Sequence, residues 1–379
     1  MSSTGIDTTT IFSSASLKSL AKRSAPAAGI FLASRFFVLM IFGAVAKISG
    51  QNVYRYLMRW DSRWYLMIAH WGYVTRVPAG QGPRVQVDLG FFPGLPLIVR
   101  FSHAIFGGRY GANGLVMTFF AGLFGSIVLH RILEQRFGTT AASQGLALVV
   151  FSPAAVVLSM VYSEAWIILF VSLSIWALDR RIWWFAGLAA GIATSFDPVG
   201  AVAVLPCLYV AYQELRTKRN WEVLAAPLLA PLGILWFFLY LWRHTGHFME
   251  YFHAQRAGWQ HGPMFTGVFY NIGQFALHFF GSADSAAKAL GAFAAVAMIV
   301  WLWKKNLPAT WWAYLGGALF MASMSPLIGF SPRVLLRAFP IIGATGATLP
   351  RRVFVVVLGL SMTCLACLTI LSVTFFWTP

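Results

Sequence analysis

The sequence predicts an all-α polytopic membrane protein with about eleven transmembrane helices, each of roughly 20 apolar residues. Three observations predict it. Hydrophobic residues make up 59% of the 379 and charged residues only 10%, where a soluble domain carries about 25% charged. The apolar residues come in long runs parted by short polar turns. The 28 Lys and Arg outnumber the 11 Asp and Glu, a net charge of +17, and many of the cations sit in those turns. This composition excludes a soluble globular domain, a disordered chain, a collagen and a disulfide scaffold. In a soluble protein the positive excess would suggest nucleic acid. In a membrane protein it signals anionic headgroups, cytoplasmic loops or a phosphate-bearing substrate, and no nucleic-acid partner is expected.

Residues 1–26 are polar, rich in Ser and Thr, and end in Lys18, Lys22 and Arg23. They read as a cytoplasmic tail before an uncleaved first helix at 27–45, because no small-residue cleavage site follows. A single transmembrane domain then extends over 27–376. Further spans are expected at 112–130, 141–160, 163–178, 182–196, 198–213, 222–242, 284–303, 309–328, 333–349 and 353–375. Two long loops remain, 48–111 and 243–283. Residues 91–106 are apolar but contain Pro93, Pro96, Arg100 and His103. If they do not cross, the basic turns at 131–136, 180–181, 216–219, 304–305 and 351–352 all share the side of the basic N-terminus. If they cross, every one of those turns flips. Residues 91–106 are therefore expected to dip into the outer face. That puts the N-terminus in the cytoplasm and both long loops outside, with the turns at 162–164, 196–198 and 331–333. Gly187-x-x-x-Gly191 is a close-packing motif. Cys364-x-x-Cys367 in the last span, with Cys207 elsewhere, reads as packing rather than redox or metal chemistry.

The residues that could carry chemistry are the charges that interrupt this pattern. The first outer loop contains Arg59-Trp60-Asp61-Ser62-Arg63-Trp64-Tyr65. On one helix over 54–71, Asp61 shares a face with Tyr54, Leu57, Met58, Trp64, Tyr65 and Ile68, roughly opposite Arg55, Arg59 and Arg63. A carboxylate among rings is costly unless paired. Asp61 is either bonded to a nearby Arg or backbone N–H, or is a general base in a partly dry pocket. Asp88, ahead of Pro93 and Pro96, either caps the next segment or meets substrate. Glu164 in Tyr162-Ser163-Glu164 either caps a helix together with Ser163 or orients substrate hydroxyls. Asp197-Pro198 reads as a helix start. Arg256 has the planar fork that matches phosphate oxygens, or else anchors the loop at the interface. The nearby His244, His247, His253 and His261 lack i, i+4 spacing beside an acid, so no metal is expected. Arg333 and Arg337 share a helix face at the outer rim, and Arg337, a turn deeper, either faces a cavity or snorkels.

The string Trp60-Asp61-x-x-Trp64-Tyr65-x-x-Ile68-Ala69-x-x-Gly72-Tyr73 resembles the motif of PIG-V-like mannosyltransferases. These are multispanning glycosyltransferases of the GT-C type, related to GPI mannosyltransferase II. The similarity continues in order through Phe91-Phe92-Pro93 to Arg100, Tyr162-Ser163-Glu164, the stretch 187–200, Ala254-Gln255-Arg256-Ala257 and Ser331-Pro332-Arg333 to Pro340. One departure stands out: Asp197-Pro198 takes the place of a frequent Arg-Pro, so any role of that Arg is missing or supplied elsewhere.

The resemblance implies a polyprenyl-phosphate-linked mannose donor in the bilayer and inverting transfer at the outer face. It implies a glycan, lipid or protein hydroxyl as acceptor, and neither nucleotide nor cofactor. Asp61 is the implied catalytic base, and Glu164 is a candidate to position the acceptor. Arg333, Arg337 and Arg256 are candidates to stabilise the leaving phosphate. Asp88, Trp60, Trp64, Tyr65 and Tyr162 are candidate substrate contacts. The chain is short for the eukaryotic enzyme, which suggests a multi-pass protein of a bacterial inner membrane, or of the endoplasmic reticulum in a eukaryote. Two other readings compete. A flippase for lipid-linked sugars would line a path through the membrane middle with polar groups, whereas these acids collect at the outer rim. A noncatalytic subunit would scaffold another enzyme.

Overall fold

A computed structural model describes residues 14–75, 86–259, 283–324 and 329–374, together with positions 273 and 277. The start of the expected tail, part of the first outer loop and most of 260–282, His261 included, lie outside the described residues. What is described is helical or in turns, with no strand.

Length separates the helices into two kinds. Helix α1 (Ser14–Ser49) leads to a short α2 (Val53–Leu57), then α3 (Asp61–Trp71), α4 (Gly94–Phe106) and α5 (Tyr110–Phe137). Next come α6 (Thr139–Val150), α7 (Glu164–Asp179), α8 (Trp183–Ala193) and α9 (Val204–Lys218), the last continuing a 3₁₀ turn at Pro198–Ala203. Helices α10 (Ala225–Leu229), α11 (Leu232–Thr245) and α12 (Glu250–Trp259) follow, then α13 (Ala283–Leu302), α14 (Ala309–Met324), α15 (Pro332–Arg337), α16 (Phe339–Thr348) and α17 (Arg351–Val373). Among the described residues four helices are long and apolar enough to cross a membrane unaided: Lys22–Ser49, Tyr110–Phe137, Pro198–Lys218 and Arg351–Val373. A fifth results if Trp221–Leu229 and Leu232–Thr245, bent by 42°, form one span.

Proline breaks three of the expected spans, 141–160, 222–242 and 333–349. Pro153 follows the end of α6, and a 3₁₀ turn at Ala155–Ser159 separates it from α7. Pro231 parts α10 from α11, and Pro340 lies just past the bend between α15 and α16. Proline lacks the N–H that would continue the helix ladder. Helix α4 has 13 residues, about 20 Å at 1.5 Å per residue, against a hydrocarbon core of about 30 Å. Its Arg100 Nε donates to the Ala69 carbonyl at 2.7 Å, and Nη2 reaches the carbonyls of Ile68 and His70 at 3.4 and 3.3 Å. It thus serves the C-terminal carbonyls of α3, of which that of Ile68 also accepts from the Gly72 N–H at 2.9 Å.

Two contacts join the site's supports. A Cβ on Gly187 would meet the Ala226 carbonyl oxygen at 2.6 Å, and one on Gly191 would meet that of Leu229 at 2.6 Å. Helix α8 can therefore lie on α10 only with glycine at both positions, as the small-residue spacing predicts. In α1, the buried Arg35 donates to the carbonyls of Ala155 (2.6 Å) and Val150 (2.9 Å) and to Ser159 Oγ (2.8 Å). Arg35 thus ties the end of α6 to the 3₁₀ turn before Glu164 inside the bundle.

The continuous helix expected over 54–71 is in fact two. The chain breaks at residues 58–60, and Trp60 has φ 57° and ψ −131°. That conformation cannot continue α2, so Asp61 becomes the first residue of α3 and points by the geometry of the break rather than by helical periodicity.

Candidate active site

Four segments far apart in sequence bring five charges together. Asp61 opens α3, Glu164 opens α7, Asp197 precedes the 3₁₀ turn before α9, and Arg333 and Arg337 lie one turn apart on α15. Arg333 Nη1 donates to Asp61 Oδ2 at 2.6 Å, and its Nε to Glu164 Oε1 at 2.5 Å. Arg337 donates from Nη2 and Nε to the same Glu164 oxygen at 2.8 and 3.1 Å, and from Nη2 to Asp197 Oδ2 at 2.7 Å. The result is an alternating line, Asp61–Arg333–Glu164–Arg337–Asp197, with three carboxylates against two guanidiniums.

Burial is deepest at the centre of the line. The Glu164 side chain is 1% exposed, Arg337 9%, Asp197 10%, Arg333 14% and Asp61 17%. Asp61 is thus the end most open to a ligand. Glu164 Oε2 is buried and takes no hydrogen bond among the described residues. It is an acceptor inside the site, where charge is costly unless bonded.

Tyrosines wall this line. The Arg333 guanidinium lies 4.6 Å from the centre of the Tyr162 ring, a cation–π contact. The Asp61 N–H donates to Tyr162 Oη at 3.3 Å. Tyr65 Oη donates to Ser163 Oγ at 3.4 Å, and burial together with the Asp61 carboxylate pushes its phenol well above the ordinary range. Tyr314 donates to the Arg337 carbonyl at 3.1 Å. Tyr251 of α12 is buried near enough to Asp197 and Arg337 to feel both charges.

The residues singled out from sequence divide accordingly. Asp61, Glu164, Arg333, Arg337, Tyr65 and Tyr162 meet at one place. Glu164 is no cap: neither it nor Ser163 makes a side-chain capping bond, and its carboxylate serves both arginines. Asp61 is paired rather than isolated among rings. Trp64 stacks on Phe91, ring centres 5.6 Å apart, and Trp60 sends its indole N–H to the Ser372 carbonyl at 3.0 Å. Asp88 stands apart. It accepts from the Val74 N–H at 3.2 and 3.3 Å, and burial raises its carboxyl above the ordinary 3.8 while that N–H opposes the shift. Arg256 is exposed on α12 and joins no ion pair among the described residues. On the same helix, Gln255 ties α12 to the Gly90 carbonyl at 2.8 Å. Among the described residues no group of three or more His, Cys, Asp or Glu is placed to hold a metal ion.

Asp197 is the member that the sequence did not place in the site. It is the expected helix start, since Oδ1 accepts from the Val199 N–H at 2.9 Å. Its second oxygen binds Arg337. Burial raises its carboxyl above the ordinary value, and Arg337 works against that rise. An Asp-Pro pair looks the same whether it caps alone or also binds, so only an unpaired Arg nearby could have signalled the second role. Tyr251 and Tyr314 carried no sequence signal beyond being aromatic.

Comparison with known proteins places the chain in a family. No curated protein matches the chain. The profile of the family described as Mannosyltransferase (PIG-V) matches residues 32–274, well over half of the sequence. It takes in Asp61, Glu164 and Asp197, while Arg333 and Arg337 lie beyond the matched residues. The chain is therefore a member of the PIG-V mannosyltransferase family, a membrane glycosyltransferase.

Proposed function

We propose that the protein moves a mannose-type sugar from a polyprenyl-phosphate donor to a hydroxyl of a lipid, glycan or protein at the outer membrane face, with inversion and with Asp61 as general base. The observation that carries this reading is the buried line of five alternating charges whose least buried end is a carboxylate. In the step proposed, the acceptor O–H gives its proton to Asp61 Oδ1, which bonds nothing else among the described residues. The acceptor oxygen forms its bond to the anomeric carbon as the bond from that carbon to the phosphate oxygen breaks. The electron pair leaves with the phosphate. Inverting transfer needs one base and no covalent intermediate.

The network couples the two halves of this step. Once Asp61 is protonated, two carboxylates face two guanidiniums, and Arg333 is no longer neutralised by Asp61. Its charge becomes available as negative charge builds on the leaving phosphate, which is when such stabilisation accelerates a reaction. Arg337, fixed by Glu164 and Asp197, supports it from below. Glu164 Oε2, buried and without a hydrogen bond among the described residues, is the proposed acceptor for a sugar or acceptor hydroxyl.

In this proposal the fold is GT-C-like. The chain crosses the membrane about eleven times, several times through paired short helices that together reach across the roughly 30 Å core. The N-terminus is cytoplasmic, and the protein resides in a bacterial inner membrane. The experiment is transfer by the purified single chain, offered polyprenyl-phosphate mannose, other polyprenyl-phosphate sugars and nucleotide sugars, with products identified by mass spectrometry. A mannosylated product from the polyprenyl-phosphate donor alone is expected. Transfer from a nucleotide sugar would replace the donor class. Transbilayer movement of the donor without product would replace the enzyme by a flippase.

A further inference from the structure

We infer that Trp60 is a positioning residue for Asp61, and that the outer end of α17 is its anchor; the inference rests on the proposed role of Asp61 as base. Trp60 is the residue just before Asp61 and lies at φ 57°, ψ −131°. Glycine adopts such a conformation freely and a bulky side chain rarely does. A strained residue persists where its surroundings over-determine it, and here they do. The indole Nε1–H donates to the Ser372 carbonyl at 3.0 Å. Arg59, one residue earlier, donates from Nη1 to the next carbonyl, that of Val373. Both acceptors belong to the last turn of α17, whose carbonyls have no partner further along the helix. The Arg59 guanidinium also lies 4.5 Å from the centre of the Tyr56 ring, and Tyr56 Oη pairs with Ser49 Oγ at the end of α1 at 2.5 Å. The first and last long helices thus grip the two residues that precede the proposed base.

The strain has a geometric result. A helical φ at Trp60 would run α2 into α3 and rotate Asp61 away from its present position. The reversed φ starts a new helix at Asp61, whose N–H reaches Tyr162 and whose carboxylate reaches Arg333. The side chain of Trp60 therefore acts through backbone direction, not by touching the reacting atoms.

The test uses full-length protein in detergent or nanodiscs and two variants. Trp60→Phe keeps a ring but has no indole N–H; Trp60→Gly accepts the backbone conformation without strain but has no anchor. Positioning predicts that kcat of both falls ten- to a hundred-fold while the donor KM stays within about two-fold. A rise in donor or acceptor KM at unchanged kcat would make Trp60 a substrate contact instead. Unchanged kcat per folded molecule, with only a lowered Tm, would make it a structural residue. A second readout needs no activity: the Tm shifts of Trp60→Phe, Asp61→Asn and the double variant. If Trp60 aims Asp61 at Arg333, the shift caused by Asp61→Asn shrinks in the Trp60→Phe background. Additive shifts would overturn the inference. If the wild-type chain transfers no sugar, the proposed function fails, and this cycle still decides the positioning role.

Discussion

Glu164 is the residue on which the site's charges converge, since both arginines bond the same carboxylate oxygen. Removing one member of such a buried set leaves the others uncompensated, a cost of about 3–5 kcal/mol. Arg337→Leu would leave Asp197 without its cation. It should lower the thermal unfolding temperature in detergent sharply, and adding Asp197→Asn should restore part of the loss. No recovery in the double variant would mean that Arg337 stabilises through packing alone. Asp88 gives a pH-dependent counterpart. Its folded-state carboxyl is raised above 3.8, chiefly by burial. Its contribution is therefore fully present below that value and is lost as pH rises through the raised one. Asp88→Asn should flatten the fall in Tm between about pH 4 and neutrality relative to wild type; identical slopes would contradict it. Asp61, Glu164, Arg333 and Arg337 were legible in the sequence because a charge inside or beside an apolar run is exceptional. Asp197 was not, because its capping role fully explained it.

Among elements, α8 shows a pattern that the sequence carries completely. Gly187 and Gly191 recur one turn apart, and the backbone of α10 occupies the space their side chains would need. Gly191→Val must push the Leu229 carbonyl away. Overpacking of this kind costs typically 1–3 kcal/mol, and a Tm decrease is expected. Gly359→Val, on α17 with nothing within 4 Å of its Cβ, should leave Tm nearly unchanged. Equal effects would show that the α8–α10 contact is not the reason for glycine. The division of α2 from α3 was not legible. Periodicity assumes helical φ throughout, and a tryptophan gives no sign that its φ is reversed. The short paired helices were legible only in part. Prolines marked the breaks, but hydropathy does not tell two half-helices from one span.

For the whole molecule, sidedness links fold to function. The charged line draws on residues 61, 164, 197, 333 and 337, all of which the distribution of basic turns assigns to one side, and the structure brings them together. Single cysteines at Arg63 or Arg256, in a background with Cys207, Cys364 and Cys367 replaced, should react with an impermeant reagent from the outer face. Cysteines at Arg180 or Lys305 should react only after the cytoplasmic side is opened. Labelling of all four from one side would overturn the topology. Membership in the PIG-V family was legible because its motifs recur in order along the chain, even though no one of them is specific. Neither the acceptor nor the linkage formed was legible, because the residues that would select them act through position in the folded chain.

The most direct measurement is sugar transfer from polyprenyl-phosphate mannose by purified wild type and Asp61→Asn, compared at equal amounts of folded protein. The asparagine keeps the shape of the side chain and its bond from Arg333 but accepts no proton from an alcohol. Loss of a general base predicts a kcat lower by roughly 10²–10⁴-fold, with the protein still inserted and folded. Transfer by Asp61→Asn at the wild-type rate would contradict the assignment.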